Sequence, residues 1–480
     1  MRSFFTTLIT LLLFFNAPVH AQDNIWTLQR CVQYAVDHNI TIQQNVLNAR
    51  IAHFTLLQSQ LAQLPGLNAS GSYGKSYGRS VDPTTNQFIN SDYNFIGVNA
   101  SSNVLLFGWF QQRNTIAKNK FSLNASNADL DQLKDDVSLN VATGYLRAIL
   151  AKEQIGVSEK QVELSKAQLA QTRSFFDAGR LPELNVAQLE SQLATDSANL
   201  ITAIANYTSS VLDLKALLNL DFAAPLDVVA PEVKLADQIS VSTMSPEQIY
   251  QEAHKHFGSI RATEYRVRAA KKSIDAATGN LYPQLSFGMQ LGTNWASSYK
   301  QLDGYTITGY QPNGTFAGTA ANPTRDTVYS PSFIPKYSSI PLGTQLNNNF
   351  RQTYSVTLSI PLFNAWQSQY SLRQARYNLS TQQLNQYQAE LTLKQNVYKS
   401  YNDALNSIQK YYAASRAAEA ATRAQEFAKK RYDLGLTSTV DYLVTTNAQY
   451  AALSSLLGAK YDLIFKLKVI DYYLGKELKL

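Results

Sequence analysis

The stretch RYDLGLTSTVDYL, residues 431–443, has a close counterpart in FFDAGRLPELNVAQL, residues 175–189. Both contain an aromatic residue, an aspartate, a variable residue and a glycine, which is Gly435 in one and Gly179 in the other. A long polar segment without proline precedes each glycine, and a second helix-like segment follows it. Because glycine readily adopts the left-handed conformation that ends helices, each stretch predicts a turn between two helices. A turn that is used twice in one chain predicts an architecture built from two repeats.

Two ungapped alignments of the chain with itself support the repeat. Residues 27–67 align with residues 245–285 at an offset of 218, and residues 106–179 align with residues 362–435 at an offset of 256. The change of offset by 38 residues predicts an insertion between the two aligned regions of the second repeat. The matched residues include Arg50 with Arg268, Pro65 with Pro283, Tyr145 with Tyr401, and Asp177 with Asp433.

These alignments predict a first repeat over residues 22–230, a linker over 231–244 and a second repeat over 245–480. Each repeat has the same predicted order of a helix, two strands, a very long helix, the glycine turn and a last helix. The first helix ends before a proline, whose ring disfavours helical backbone in the residue before it. The long helical segments lack proline, and at 1.5 Å per residue each would span about 100 Å. Helices of that length are typical of coiled coils, bundles and tubes, so the predicted fold is mainly α with a strand portion.

Four strand-like segments, two in each repeat, are predicted at about residues 66–78, 93–107, 284–296 and 351–363. Along each of them apolar residues alternate with small polar residues, which gives the strand one apolar and one polar face. Such strands fit either a solvated sheet on a soluble core or a membrane β-barrel lined by Ser, Asn, Gly and Gln. The stretch between the last two strands, residues 297–350, is rich in Gly, Pro, Asn, Thr and Tyr, and it predicts a long irregular exposed loop.

The first 21 residues, MRSFFTTLITLLLFFNAPVHA, have the basic start, apolar core and small-residue cleavage pattern of a secretory signal peptide. The later sequence contains no run of about eighteen apolar residues that would form a membrane-spanning helix. The mature chain is therefore predicted to be secreted, periplasmic, or held in an outer membrane by its strands.

Composition and motifs argue against several classes of function. The formal charge of +7 is spread along the chain, and no basic run indicates nucleic-acid binding. His254 and His256 would point to different faces of a helix, so we expect no metal site and no cofactor. The sequence lacks the motifs of hydrolases, metalloproteases, P-loop proteins and dinucleotide-binding proteins, and we expect no enzymatic activity. Cys31 is expected to be a small apolar helix residue, because a single cysteine cannot form an internal disulfide.

Together these features resemble the TolC-like outer membrane factors over the whole mature chain. The resemblance rests on WTLQRCVQYAVDHN (residues 26–39), on IPLFNAWQSQYSLRQARYNL (residues 360–379) where a strand enters a long helix, and on the two glycine turns. It implies a trimer in which each copy contributes four strands to a twelve-stranded barrel in the outer membrane, continued across the periplasm by a long α-helical barrel. If the strands lie in a membrane, an oligomer is also required on physical grounds, because four strands cannot close a barrel and an open sheet edge in lipid is very costly.

The resemblance further implies an exit duct of a tripartite efflux or type I secretion system. Its implied partners are a periplasmic adaptor protein, an inner-membrane pump of the RND or ABC class, and outer-membrane lipid. The glycine turns would lie at the periplasmic tips, where the adaptor docks. The implied contacts at these tips are Gly179, Arg180, Leu181, Gly435 and Leu436.

A pore constriction is implied near the second glycine turn. In similar proteins an aspartate six residues after this glycine faces the pore and attracts cations, and the corresponding residue is Asp441. Ser438 and Asp441 also fit a capping box, in which the carboxylate of Asp441 would serve the helix N-terminus, and the two roles are compatible. The closing network of the best-known relatives corresponds to Asn185, Tyr432 and Thr437. An amide replaces its carboxylate and a threonine its arginine, so we expect closure by hydrogen bonds or apolar contacts. Tyr432 can alternatively pack between helices.

Two other functions remain open at this point. A periplasmic or surface coiled-coil scaffold without a pore would account for the long helices, although not for four amphipathic strands of membrane length. A secreted polysaccharide-active enzyme would need paired carboxylates in a cleft, which the strand faces do not supply. We therefore expect a channel in the outer membrane that extends into the periplasm.

Overall fold

The computed structural model describes residues 25–81, 86–90, 92–230, 244–319 and 322–476. The predicted signal peptide lies outside the described residues, and so does all of the predicted linker except its last residue.

The chain divides into two compact units, which are described separately. The helical unit contains the chain up to Phe54, together with Lys120–Ala269 and Asn378–Leu480. The strand unit contains Thr55–Asn119 and Ala270–Tyr377. Because each unit takes segments from both halves of the sequence, both repeats contribute to both units.

Four long helices, two in each repeat, confirm the predicted helix–turn–helix segments. Among the described residues, no helix combines the length and the apolar composition needed to cross a membrane. The first helix of each pair has 67 residues, which corresponds to about 100 Å. The pairs are α3 (Gln111–Asp177) with α4 (Glu183–Leu218), and α8 (Gln367–Asp433) with α9 (Thr439–Tyr473).

Each long helix begins after the same unusual backbone turn. Two consecutive residues, Trp109 and Phe110, have positive φ angles of 49° and 60°. Their counterparts 256 residues later, Ala365 and Trp366, have φ angles of 50° and 68°. Left-handed backbone is costly for residues with a side chain, so two of them in succession at equivalent positions are a specific feature of the repeat.

The first helical segment of each repeat is broken, whereas the sequence predicts one continuous helix over 27–63 and one over 245–281. The breaks fall at Asn39 and Phe257, 218 residues apart, where ψ is 125° and 122°. The prediction of continuous helices is therefore wrong in both repeats. The resulting helices are α1 (Leu28–His38), α2 (Ile40–Leu61), α5 (Pro246–His256) and α6 (Gly258–Gly279).

Local contacts explain both breaks. The side-chain oxygen of Asn39 accepts hydrogen bonds from the backbone amides of Thr41 at 2.9 Å and Ile42 at 3.2 Å, so it caps the start of α2. After the second break, a Cβ added to Gly258 would lie 2.4 Å from the carbonyl oxygen of Ala128 in α3. The break therefore lets α6 start in close contact with the backbone of α3.

A four-stranded antiparallel sheet forms the centre of the strand unit, in the order β10-β7-β5-β2. Its strands lie where the sequence predicts them, except that β2 ends two residues earlier and β10 four residues earlier than predicted. Pro361 follows the end of β10 and has no amide hydrogen for a ladder bond. The strands are β2 (Gly66–Ser76), β5 (Tyr93–Phe107), β7 (Gln284–Ala296) and β10 (Arg351–Ser359).

The predicted irregular loop over residues 297–350 is instead mostly regular, and the prediction is wrong in this respect. It forms a long antiparallel hairpin of β8 (Lys300–Thr319) and β9 (Asn322–Ser339), followed by the short helix α7 (Leu342–Asn348). A shorter hairpin of β3 (Arg79–Val81) and β4 (Phe88–Asn90) occupies the equivalent place in the first repeat.

The largest core of the helical unit surrounds a short parallel strand pair, β1 (Ile25–Trp26) with β6 (Asp227–Val228). The fully buried hydroxyl of Tyr145 donates to the carbonyl of Trp26 at 2.8 Å and accepts from the amide of Val229 at 3.3 Å. Tyr145 therefore joins helix α3 to both ends of the first repeat.

Candidate functional site

The two glycine turns have the same geometry. Gly179 and Gly435 adopt φ angles of 70° and 74° directly after α3 and α8. The amide after each glycine donates across the turn, from Arg180 to the carbonyl of Phe175 and from Leu436 to the carbonyl of Arg431, both at 2.8 Å. This is the Schellman arrangement that ends helices. The prediction that both glycines supply left-handed helix ends is confirmed.

Asp441 takes part in the cap of the helix that follows the second turn. The hydroxyl of Ser438 accepts a hydrogen bond from the backbone amide of Asp441 at 3.1 Å and donates to its carboxylate at 2.7 Å. The carboxylate also lies in the first turn of α9, where the helix dipole favours a negative charge. The cap by Ser438 is confirmed, but among the described contacts the carboxylate of Asp441 accepts from the hydroxyl of Ser438 and not from its backbone amide, as a full capping box would require. Asp441 is exposed, so its carboxylate is accessible to solvent.

Tyr432 is buried between helices, as one of the two sequence interpretations predicts. Its side chain is 5% exposed, and its ring stacks on that of Tyr442 with 4.7 Å between the ring centres. Its hydroxyl lies 2.8 Å from Oγ1 of Thr172 and 3.4 Å from Oγ1 of Thr439. Tyr432 thus connects α8 with α3 of the other helical pair and with the start of α9.

A cleft of about 320 Å³ lies between the two turns. Its lining includes all three residues of the predicted closing network, Asn185, Tyr432 and Thr437. Among the described residues, Asp441 does not contribute to this lining. Of the predicted tip contacts, Arg180, Leu181 and Gly435 line the cleft, whereas Gly179 and Leu436 do not.

The four-stranded sheet has one apolar and one polar face, because its register aligns the alternating patterns of all four strands. Residues that pair directly across antiparallel strands point to the same face. One row of pairs joins Val104, Phe287 and Val356. The adjacent row joins Asn103, Gly288 and Ser355. The apolar face is open to the exterior, since Val356 is 65% exposed.

Comparison with protein families agrees with this arrangement of strands and helices. The sequence model of the family described as outer membrane efflux protein matches residues 32–220 and 249–475. The chain belongs to this family. Its two matched regions correspond to the two repeats, and the predicted location in the outer membrane is confirmed.

Three proteins to which the chain is similar are distant from it in sequence. Outer membrane protein TolC of Escherichia coli (strain K12) is 23% identical over 344 residues, which cover 70% of this chain and 61% of TolC. Toxin and drug export protein A of Aggregatibacter actinomycetemcomitans is 21% identical over 449 residues, which cover 91% of this chain and 83% of that protein. The crystal structure of the Campylobacter jejuni CmeC outer membrane channel is 17% identical, has a TM-score of 0.73, and covers 94% of this chain and 86% of CmeC. The predicted TolC-like fold is confirmed.

Near the tips, a series of polar contacts that the sequence did not predict joins the two helical pairs. Gln171 donates to the carboxylate of Asp433 at 3.0 Å. Gln192 and Asn447 exchange two amide hydrogen bonds, at 3.0 and 3.1 Å. The high glutamine and asparagine content of the helices was the available signal, but their spacing does not show which of these residues meet.

Burial changes the chemistry of one tyrosine in this series. The side chain of Tyr442 is 1% exposed, and its hydroxyl accepts a hydrogen bond from the amide of Gln168. Burial raises the pKa of Tyr442 to about 12, because the phenolate would lose its hydration. The ring therefore stays neutral at physiological pH and supports the stacked ring of Tyr432.

Proposed function

We propose that three copies of the chain form an exit duct that carries substrates from an inner-membrane pump, across the periplasm, to the outside of the cell. The supporting observation is the sheet of each copy, which has an apolar face, a polar face and two edge strands, β2 and β10, each of which pairs with a single strand among the described residues. A sheet in lipid must have its edges paired, so β10 of one copy would pair with β2 of the next. Three copies supply twelve strands.

The helical pairs would continue this duct on the periplasmic side. Each pair of strands is followed directly by a 67-residue helix, which is long enough to reach about 100 Å from the membrane. The glycine turns would then form the far end of the duct, where Gly179, Arg180, Leu181, Gly435 and Leu436 would contact a periplasmic adaptor. The adaptor would connect the duct to a pump of the RND or ABC class.

Closure of this end would depend on Asn185, Tyr432 and Thr437, which share one cleft. They offer an amide, a phenol and a hydroxyl rather than an ion pair, so closure would rest on hydrogen bonds and packing. Three copies of Asp441 would form a ring of negative charge that favours cations. The duct itself would catalyse no reaction, and the energy for transport would come from the pump.

The proposed substrate class is inferred from the name of a relative. Toxin and drug export protein A is named for the export of both toxins and drugs. The proposed duct would likewise pass substrates that the pump selects, since the polar face of the sheet carries mostly small neutral side chains, with Arg351 as a charged exception at its edge.

The test is to measure mass and conductance on the same detergent-purified protein. Light scattering is expected to give three chains in each particle, and planar bilayers are expected to show small, cation-selective conductance steps. A monomer without conductance would contradict the duct and would leave the non-channel scaffold as the function.

A further inference from the structure

One face of the long β8–β9 hairpin contains a continuous apolar stretch, which is called the apolar face below. Five successive paired positions make up this stretch, and paired residues in an antiparallel ladder point to the same side. The stretch contains tyrosine, phenylalanine, isoleucine, leucine and proline, and it is flanked on the same side by Lys300 paired with Ser339 and by Phe316 paired with Thr327. The pairs are Leu302 with Tyr337, Tyr305 with Pro335, Ile307 with Phe333, Tyr310 with Pro331, and Pro312 with Tyr329.

The opposite face of the same hairpin is mostly polar or small. Thr306 with Ile334 is the exception, since isoleucine stands among polar residues there. The other pairs on this face are Gln301 with Ser338, Gly304 with Lys336, Gly309 with Ser332, and Gln311 with Ser330. The hairpin is therefore an amphipathic ribbon.

Two β-bulges keep the apolar residues on one side. Strand β8 has extra residues at Asp303 and Thr308, and the pairing register shifts at both. Each is followed by a glycine, Gly304 at φ 126° and Gly309 at φ 153°, which a residue with a side chain would adopt only with strain. A slip of one residue turns every later side chain to the other face. Without the bulges, Tyr305 and Ile307 would point to the polar face. The positions of the two bulges therefore preserve the apolar face.

The apolar face is exposed in the single chain. Its seven large side chains are between 43% and 66% exposed, and Tyr305 and Phe333 contact each other edge to face with 6.0 Å between ring centres. Soluble surfaces rarely expose this many contiguous apolar residues without a partner. A partner surface must therefore cover the ribbon in the assembled protein.

The connections of the hairpin to the sheet indicate which partner covers the apolar face. Strand β7 leads into β8, and β9 returns through α7 to β10, which is an edge strand of the sheet. The hairpin thus stands beside the edge where the proposed duct joins one copy to the next. Because its five pairs carry no charge, the apolar face can pack against an identical face without charge repulsion. The hairpin carries three basic and two acidic residues, too few cations to hold it on an anionic lipid surface.

We propose that the apolar faces of the β8–β9 hairpins pack on one another across the copies of the assembly. This inference rests on the proposed trimeric duct. The packed hairpins would add an interface outside the membrane sheet, made by the insertion that only the second repeat contains.

The test uses single cysteines on the two faces, Phe333→Cys on the apolar face and Ser332→Cys on the polar face. Cys31 is fully buried, so the introduced thiol is the reactive one. After treatment of the detergent-purified protein with a short bismaleimide, we expect Phe333→Cys to give several-fold more cross-linked chains than Ser332→Cys. We also expect slower labelling of Phe333→Cys by a polyethylene glycol maleimide. Ile307→Cys, at the paired position, repeats the test if Phe333→Cys does not fold.

Each other outcome is distinguishable. Trimers by light scattering in which Phe333→Cys is labelled as fast as Ser332→Cys would overturn the hairpin packing while the duct stands. Protection of Phe333→Cys in proteoliposomes, but not in bilayer-free amphipol trimers, would place the face against lipid and also overturn the inference. Monomers by light scattering would contradict the duct itself.

Discussion

The hydroxyl of Tyr432 lies 2.8 Å from Oγ1 of Thr172, although the two residues are 260 positions apart in the sequence. Tyr432 belongs to the last turn of α8, and Thr172 lies five residues before the end of α3. This buried contact therefore ties together the tips of the two helical pairs, one from each repeat. The stability of the tips depends on it more than on any exposed ion pair, because exposed pairs are screened by water and salt.

Removing only the hydroxyl of Tyr432 should have a small effect and removing the ring a large one. Tyr432→Phe keeps the stacking on Tyr442 and loses a hydrogen bond, which costs about 1 kcal/mol. Tyr432→Ala leaves a cavity and should cost about 3–5 kcal/mol. Thermal unfolding of the detergent-purified protein, followed by circular dichroism, measures both. Thr172→Val is the matched partner, and the double variant with Tyr432→Phe should be less destabilised than the sum of the two. Simple additivity would show that the hydroxyls are not coupled.

Replacing glycine by alanine should change the stability in opposite directions at a glycine turn and inside a helix. Gly435→Ala forces a Cβ into a backbone with φ 74°, which costs about 1–2 kcal/mol, although the space around it is open. Gly458→Ala, in the interior of α9, also meets open space but lies in ordinary helix, and should stabilise by about 0.5–1 kcal/mol. The midpoint of thermal unfolding should fall for the first variant and rise for the second. A fall of equal size in both would mean that the left-handed turn carries no specific cost.

Elements that depend on local rules can be predicted from the sequence. Pro65 and Pro283 stop the first helical segments, alternation marks the strands, and Gly179 and Gly435 mark the turns. Features that depend on tertiary contacts were missed. In the sequence, Asn39 is also compatible with the interior of a continuous helix. The structure shows that the helix is broken there and that Asn39 caps the helix that follows.

The hairpin was missed for a related reason. Its four register shifts interrupt the alternation of period two, so its apolar residues look irregular when they are read along a single strand. The face becomes visible only when β8 and β9 are paired. The cleft between the tips could be anticipated only in part, because family resemblance suggested Asn185, Tyr432 and Thr437 but not the amide contacts around them.

Cys31 should be unreactive in the folded protein. It is fully buried, as expected for a small apolar helix residue, and burial raises the pKa of its thiol to about 12 while Arg30 opposes this shift. Maleimide at pH 8 should label it only after denaturation. Because the folded pKa is raised above the ordinary value of 9.0, the stabilising contribution is complete below pH 9 and is lost as the pH rises through about 12. The Cys31→Ala variant should therefore lose less stability than the native chain over that range. Rapid labelling of the native protein would contradict this burial.

Separate substitutions can distinguish the contacts of Asp441 with Ser438 from the role in the pore that we propose for its charge. Asp441→Asn removes the charge but keeps an oxygen that can accept from the hydroxyl of Ser438, whereas Ser438→Ala removes the cap and keeps the charge. Loss of the cap typically costs about 1 kcal/mol, and loss of a charge at a helix N-terminus about 0.3–1 kcal/mol. Stability alone would therefore separate the two variants poorly.

Ion selectivity separates them, because only a charge that faces the pore attracts cations. In planar bilayers under a salt gradient, we expect Asp441→Asn to lower the preference for cations several-fold and Ser438→Ala to leave it unchanged. Unchanged selectivity in Asp441→Asn, together with normal conductance, would restrict Asp441 to its capping role. An equal loss in both variants would mean that the orientation of the first turn of α9, which the cap of Ser438 maintains, sets the selectivity rather than the charge itself.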